Sequence, residues 1–168
     1  DKSAMPFGHQ LAVIMAGIPE AKHSIIQFEE LYQRFTAEHI ELHPFSTKDA
    51  EDRQRFCGYL NACRGLLEGA GVTTIDLTTE TMQERIELAT KGIPRLINRL
   101  LVKAITLADL NKTLTLNDFL QAYGNTQLNQ ELGLFNPFSA SPAKVTEKLQ
   151  WWKEKQTKVK NSQRGKRR

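Results

Sequence analysis

Two arginines stand where an anion could meet them. Arg95 falls in the first turn of a helix that opens at Gly92-Ile-Pro-Arg95, and Arg99 stands one turn further along. A cation at the positive end of a helix dipole costs roughly 0.3–1 kcal/mol unless something negative answers it. Gly92 frees the backbone ahead of the helix and Pro94 suits its first turn, so a phosphate could meet both guanidinium groups and the helix end. A solvated arginine, or an ion pair with a neighbouring helix, satisfies the same spacing. Arg34 sits at the exit of an earlier helix, in Gln33-Arg34-Phe35. A cation near a helix C-terminus is favourable without any further role, so spacing alone assigns it none.

The third cationic group is the end of the chain. Residues 144–168 carry 10 Lys+Arg against 2 Asp+Glu, a net of about +8, whereas residues 1–143 carry 13 against 17, a net of about −4. Leu149, Trp151, Trp152, Lys153, Lys155, Lys158, Lys160, Arg164 and Lys166 make this tail a lysine-rich arm with an aromatic pair. Such an arm suits phosphate or a partner protein, and a solvated terminus is the alternative. Pro142 after Ser141 opens a helix to about Gln156, and Val145, Leu149 and Trp152 give it one apolar side that fits a docking surface.

Other chemistries are absent from the pattern. His39 and His43 alternate within a strand, where residues four apart are about 13 Å from each other, so they do not share a metal. No Cys/His cluster, Ser/His/Asp order or paired carboxylates suggest a metal site or a nucleophile, and none is assigned. The 168 residues hold neither a GxxxxGK[ST] loop nor an apolar run ending in Asp-Glu, so this chain alone is expected not to hydrolyse a nucleotide.

The elements that must position the arginines follow from periodicity. Leu11 to Ala16 is a continuous apolar run ending in Gly-Ile-Pro, which reads as a strand buried on both faces. A helix from about Lys22 to Phe35 carries Ile25, Phe28 and Tyr32 on one side, and His39 to His43 is a second, parallel strand. After Pro44 the pattern turns helical. A helix capped in Ser46–Asp49 carries Phe56, Tyr59, Leu60, Cys63, Leu66 and Leu67 up to Gly69. A second helix spans about 79–90 with Met82, Ile86 and Ala89 inward, a third follows Gly92, and a short fourth runs from Leu114 to about 125. The expected organisation is an α/β part at 1–45, a helical bundle at 46–125, an irregular linker at 126–141 and the basic tail at 142–168. Two strands do not make a domain, so the α/β part needs partners from elsewhere.

With 40% hydrophobic and 25% charged residues the composition is that of a globular chain, which excludes disorder throughout. Cys57 and Cys63 lie six apart in a helix and cannot pair with each other, which points to a reducing compartment. The longest apolar stretch, Leu11 to Gly17, is far short of the roughly 20 residues that cross a bilayer. A cytoplasmic protein with no membrane association is expected. The chain opens on Asp1 rather than Met, and residues of the native product are expected to precede it.

In order and spacing these elements resemble the second half of an AAA+ ATPase module over about residues 8–125. LAVIMAGIPE resembles the strand of the sensor-1 region, and IIQFEELYQRFTAEHIELHPF the following helix, the box holding the arginine finger and the last core strand. KGIPRLINRLLVKAI resembles the lid helix that begins with the sensor-2 Gly-x-x-Arg motif. The phrases Ala-Gly-Ile-Pro-Glu-Ala, Gln-Arg-Phe and His-Pro-Phe are most similar to bacterial transposition regulators of the TniB and TnsC type. The resemblance implies the C-terminal portion of a RecA-like core followed by a helical lid. Arg34 would be the finger that reaches ATP on a neighbouring subunit, and Gly92 with Arg95 would serve ATP on its own subunit. It also implies Mg²⁺, double-stranded DNA, a transposase, a target-selection factor and a ring or filament of copies. The polar sensor-1 side chain has no match among Gly17, Ile18 and Pro19, and the phosphate loop with its Mg²⁺-binding carboxylate falls outside the chain. Another AAA+ DNA-metabolism ATPase, such as an ExeA relative, a clamp loader or a replication initiator, shares this grammar. A non-enzymatic helical adaptor is the alternative from another class.

Overall fold

A computed structural model describes residues 43–108 and 113–165, with side chains as far as Lys158, and the isolated pair Gln27 and Phe28. The chain divides after Leu42 into two units, of which the second, His43–Arg168, is described almost throughout. The expected strand at 11–16, the helix at 22–35 apart from Gln27 and Phe28, residues 39–42 of the second strand, and Arg34 lie outside the described residues.

The second unit is mostly helical: α1 (Ala50–Gly69), β1 (Thr73–Thr74), α2 (Glu80–Thr90), α3 (Pro94–Leu107), β2 (Thr113–Leu114), α4 (Leu116–Thr126), a 3₁₀ turn (Gln130–Leu132) and α5 (Pro142–Gly165). Asp49 is the residue that starts α1, because its carboxylate accepts the Asp52 N–H at 2.9 Å. Ser46 accepts from Lys48 N–H in a local turn instead, so the helix begins later than the Ser46 signature suggests. Phe56 and Leu60 of α1 are buried, while Leu66 is turned into solvent. Thr79 caps α2 by accepting from Met82 N–H.

A short parallel pairing joins Thr73 to Thr113 and Thr74 to Leu114. Leu114, expected at the head of a helix, is therefore a buried strand residue, and α4 starts two positions on. There the Asp118 carboxylate accepts from both the backbone N–H and the hydroxyl of Thr115, each at 2.7 Å.

Helix α2 is the centre of the unit. Eight of its eleven residues are buried, including Gln83, Arg85 and Glu87, because α3, α5 and two loops cover it from different sides. The stripe of Met82, Ile86 and Ala89 read from the sequence is only part of that surface. Arg85 donates to the carbonyls of Pro137 and Ala140, the latter at 2.9 Å. Burial pulls its pKa down from the usual arginine range.

The segment 126–141 is irregular but is not a spacer. Asn129, fully buried, donates to the Leu88 carbonyl at 2.7 Å, and Phe138 packs on Phe119 with ring centroids 5.6 Å apart. Beyond it α5 runs to Gly165, well past Gln156, and puts Val145, Leu149 and Trp152 into the same core as Phe56, Leu100 and Phe119. The helices up to α4, the loop after them and α5 pack around one core within the second unit. The apolar side of α5 is used up by α2, whose own apolar surface would otherwise face water.

Candidate functional site

The turn between α2 and α3 is built by an unusual backbone. Lys91 and Gly92 both take positive φ, 57° and 68°. Gly92 is required twice over. L-residues pay to enter that region, and a Cβ there would sit 1.8 Å from the Phe45 carbonyl oxygen. The close approach exists because Phe45 N–H donates to the Gly92 carbonyl at 2.8 Å. The Phe45 ring then stacks on Phe56 at 5.2 Å and lies 4.6 Å from Tyr59. Residues 45–47, which lead into the unit, are held against the mouth of α3.

Two residues on, a buried carboxylate fastens the same segment. Glu87, 2% exposed, accepts from the Thr47 N–H at 2.8 Å and the Thr47 hydroxyl at 2.6 Å. Lys153 of α5 completes the cluster with its ammonium 3.1 Å from Glu87 and 3.1 Å from the Thr47 hydroxyl. Entry segment, central helix and C-terminal helix meet at one charged node.

Above this base, Pro94 occupies the first position of α3 and Ile93 stands at its N-cap with no side-chain hydrogen bond. The first turn of α3 contains no acidic residue. Arg95 and Arg99 are exposed, and among the described residues neither is in an ion pair. Tyr59 donates to Asn98 Oδ1 at 2.9 Å and so anchors these turns to α1. The arrangement offers a phosphate-bearing group two guanidinium groups and an uncapped helix terminus on a rigid support.

The tail residues separate by environment. Leu149 and Trp152 belong to the core, and Lys153 belongs to the Glu87 node. Lys155 pairs with Glu131 at 3.2 Å. Glu131 also receives Lys91 at 2.6 Å, and that hydrogen bond, aided by Lys155 and opposed by partial burial, holds its carboxyl below the usual range. Trp151 and Lys158 are exposed. The side chains of Lys160, Arg164 and Lys166 lie outside the described residues, as does Arg34.

Glu87, Thr47 and Arg85 escape sequence reasoning. The contacts that join them to one another, to Lys153 and to the loop at 137–140 span 40 to 106 positions, and a glutamate in a helix reads as a solvated one. Only the failure of α2 to show a clean polar face could have drawn attention to them. Among the described residues no group of His, Cys, Asp and Glu could hold a metal, and no helix is long and apolar enough to cross a membrane. Comparison with protein-family models, with curated proteins and with solved structures yields no match.

Proposed function

We propose that residues 46–125 are the lid of an AAA+ ATPase, with the following loop and α5 packed onto it, and that the protein is an ATP-dependent regulator of DNA transposition. The carrying observation is the α2–α3 turn. A glycine whose Cβ would collide with the Phe45 carbonyl precedes a helix whose first turn has no side-chain cap, lacks acids, and exposes Arg95 and Arg99. That donor set fits phosphate. ATP would supply the phosphoanhydride bond and Mg²⁺ the charge that polarises it, with the phosphate loop contributed by polypeptide outside the 168 residues. Arg95 would bind and orient the phosphates from the lid side, while Arg99 adds positive potential one turn away. Arg34 would act across a subunit boundary, which couples nucleotide state to assembly.

The segment 45–47 makes this lid responsive in mechanical terms. It is held both to the Gly92 carbonyl and to Glu87, so a movement of the chain entering the unit would be passed to the start of α3. Double-stranded DNA, transposase and a target-selection factor enter this reading through the family resemblance, and a homo-oligomer through the finger.

The test is nucleotide binding and turnover by the protein together with its upstream polypeptide. Arg95→Ala should weaken ATP binding about tenfold or more, the weight of one charged phosphate contact. Arg34→Ala should spare binding but reduce hydrolysis and assembly. Absence of ATP binding would leave a helical adaptor, and capture of a sliding clamp rather than a transposase would favour a different AAA+ ATPase.

A further inference from the structure

The outward side of α5 (Pro142–Gly165) carries a stripe that the core does not use. Lys144, Lys148, Trp151, Lys155 and Lys158 recur at i, i+4, i+7, i+11 and i+14, which sets them along one face over about 21 Å. Lys148 Nζ lies 3.8 Å from the centroid of the Trp151 ring, with Lys155 Nζ at 5.5 Å. Lys148 is also 5.9 Å from the Phe135 ring, so the loop at 133–135 borders this face. In that loop Leu134 is 98% exposed, and Trp151 is 43% exposed.

Leu134 is not displayed by a loose end. Gly133 turns the chain at φ 58°, Leu132 beneath it is buried, Phe135 N–H donates to the Leu132 carbonyl, and Asn136 donates to the Leu120 carbonyl at 3.0 Å. A fixed loop therefore holds a leucine in water next in sequence to Phe135, whose ring Lys148 approaches. Of the nearby carboxylates, Glu131 is taken by Lys91, Lys155 and Gln156. Glu147 and Glu154 stand one turn from Lys144 and Lys158 along the edge of the stripe, but neither forms an ion pair among the described residues. Lys144, Lys148 and Lys158 are left with no carboxylate among the described residues.

We propose that this face, formed by Leu134, Phe135, Lys148 and Trp151 with Lys144 and Lys158 at its rim, docks an acidic segment of a partner protein that carries an apolar anchor. Charge complementarity selects the acidic character and Leu134 the anchor. Nucleic acid fits less well. A phosphate backbone would engage the lysines but leave Leu134 in water, and the ammonium over the Trp151 ring stands where a base would stack. A tryptophan at the centre of such a patch is the residue type on which binding energy concentrates. The inference is independent of the ATPase reading, since it uses neither Arg34 nor Arg95.

The probe is a displayed library of random 16-residue peptides selected on the 168-residue chain at about 0.15 M salt. The expected winners carry net negative charge with at least one Leu, Phe or Trp, and bind Leu134→Ser, Trp151→Ala and Lys148→Glu proteins at least tenfold more weakly than the unaltered chain. These side chains lie outside the core, and circular dichroism identifies any variant that misfolds, in which case the other two decide. Winners without acidic bias, or equal binding to all folded variants, overturn the proposal. So does a 20-base-pair duplex that binds more tightly than the winners and displaces them.

Discussion

Replacing Gly92 by alanine tests whether residues 45–47 are clamped to the mouth of α3. The new methyl would stand 1.8 Å from the Phe45 carbonyl oxygen, whereas real contacts of this kind essentially never fall below 3.0 Å. Segment and turn must part by more than an ångström, which breaks the Phe45 N–H to Gly92 hydrogen bond, worth about 1 kcal/mol. The φ of 68° adds about 1–2 kcal/mol for any L-residue. Displacing Phe45 from Phe56 and Tyr59 forfeits a further ~1–2 kcal/mol of ring packing. The sum is a loss of about 3–5 kcal/mol. Urea unfolding followed by tryptophan fluorescence reads this directly, since Trp151 and Trp152 both lie in the second unit. Gln127→Gly is the matched control. Its φ of 40° is relieved by glycine with no displaced neighbour, so a gain of about 0.5–1 kcal/mol is expected. A cost below about 1 kcal/mol for Gly92→Ala would refute the clamp.

Lys153→Met should destabilise the unit by about 1–2 kcal/mol. That is less than a fully buried pair would give, because a quarter of the lysine side chain is exposed, but more than Lys158→Ala, for which unchanged urea midpoints are expected. Equal midpoints for the two variants would show that the Glu87 node does not hold α5. The pH dependence has a definite sign. Lys91, and then Lys155, keep the Glu131 carboxyl below its usual 4.5, so its contribution is complete above that value and is lost as pH falls through the lowered folded pKa. Lys91→Met should flatten the acid limb of stability below about pH 4.5, and an unaltered limb would remove Glu131 from the account.

Much of the helical architecture is legible in the sequence because its signals are local. Pro94 after Gly92 marks the start of α3, Thr79 the start of α2, and Gly69 the end of α1, each within a residue or two. Ile97, Leu100, Leu101 and Ala104 recur at helical spacing and are all buried. Spacing misleads where burial does not follow a single stripe. Helix α2 is covered on several sides, so its polar residues are internal, and Leu66, about 120° round α1 from the buried Leu60, is exposed although it is a leucine in the helical run.

What the amino-acid order determines by itself is the set of helices and the place of Arg95 and Arg99 in the first turns of α3, since these depend on neighbours within a turn or two. The tertiary structure alone decides that the basic C-terminal segment is a packed helix rather than an arm, because a charge of about +8 says nothing of the apolar face that α2 offers to Leu149 and Trp152. It also decides what each lysine does. Lys148 meets an indole ring one turn along its own helix, but Lys153 turns to a buried carboxylate 66 positions away and Lys155 to Glu131, 24 positions away.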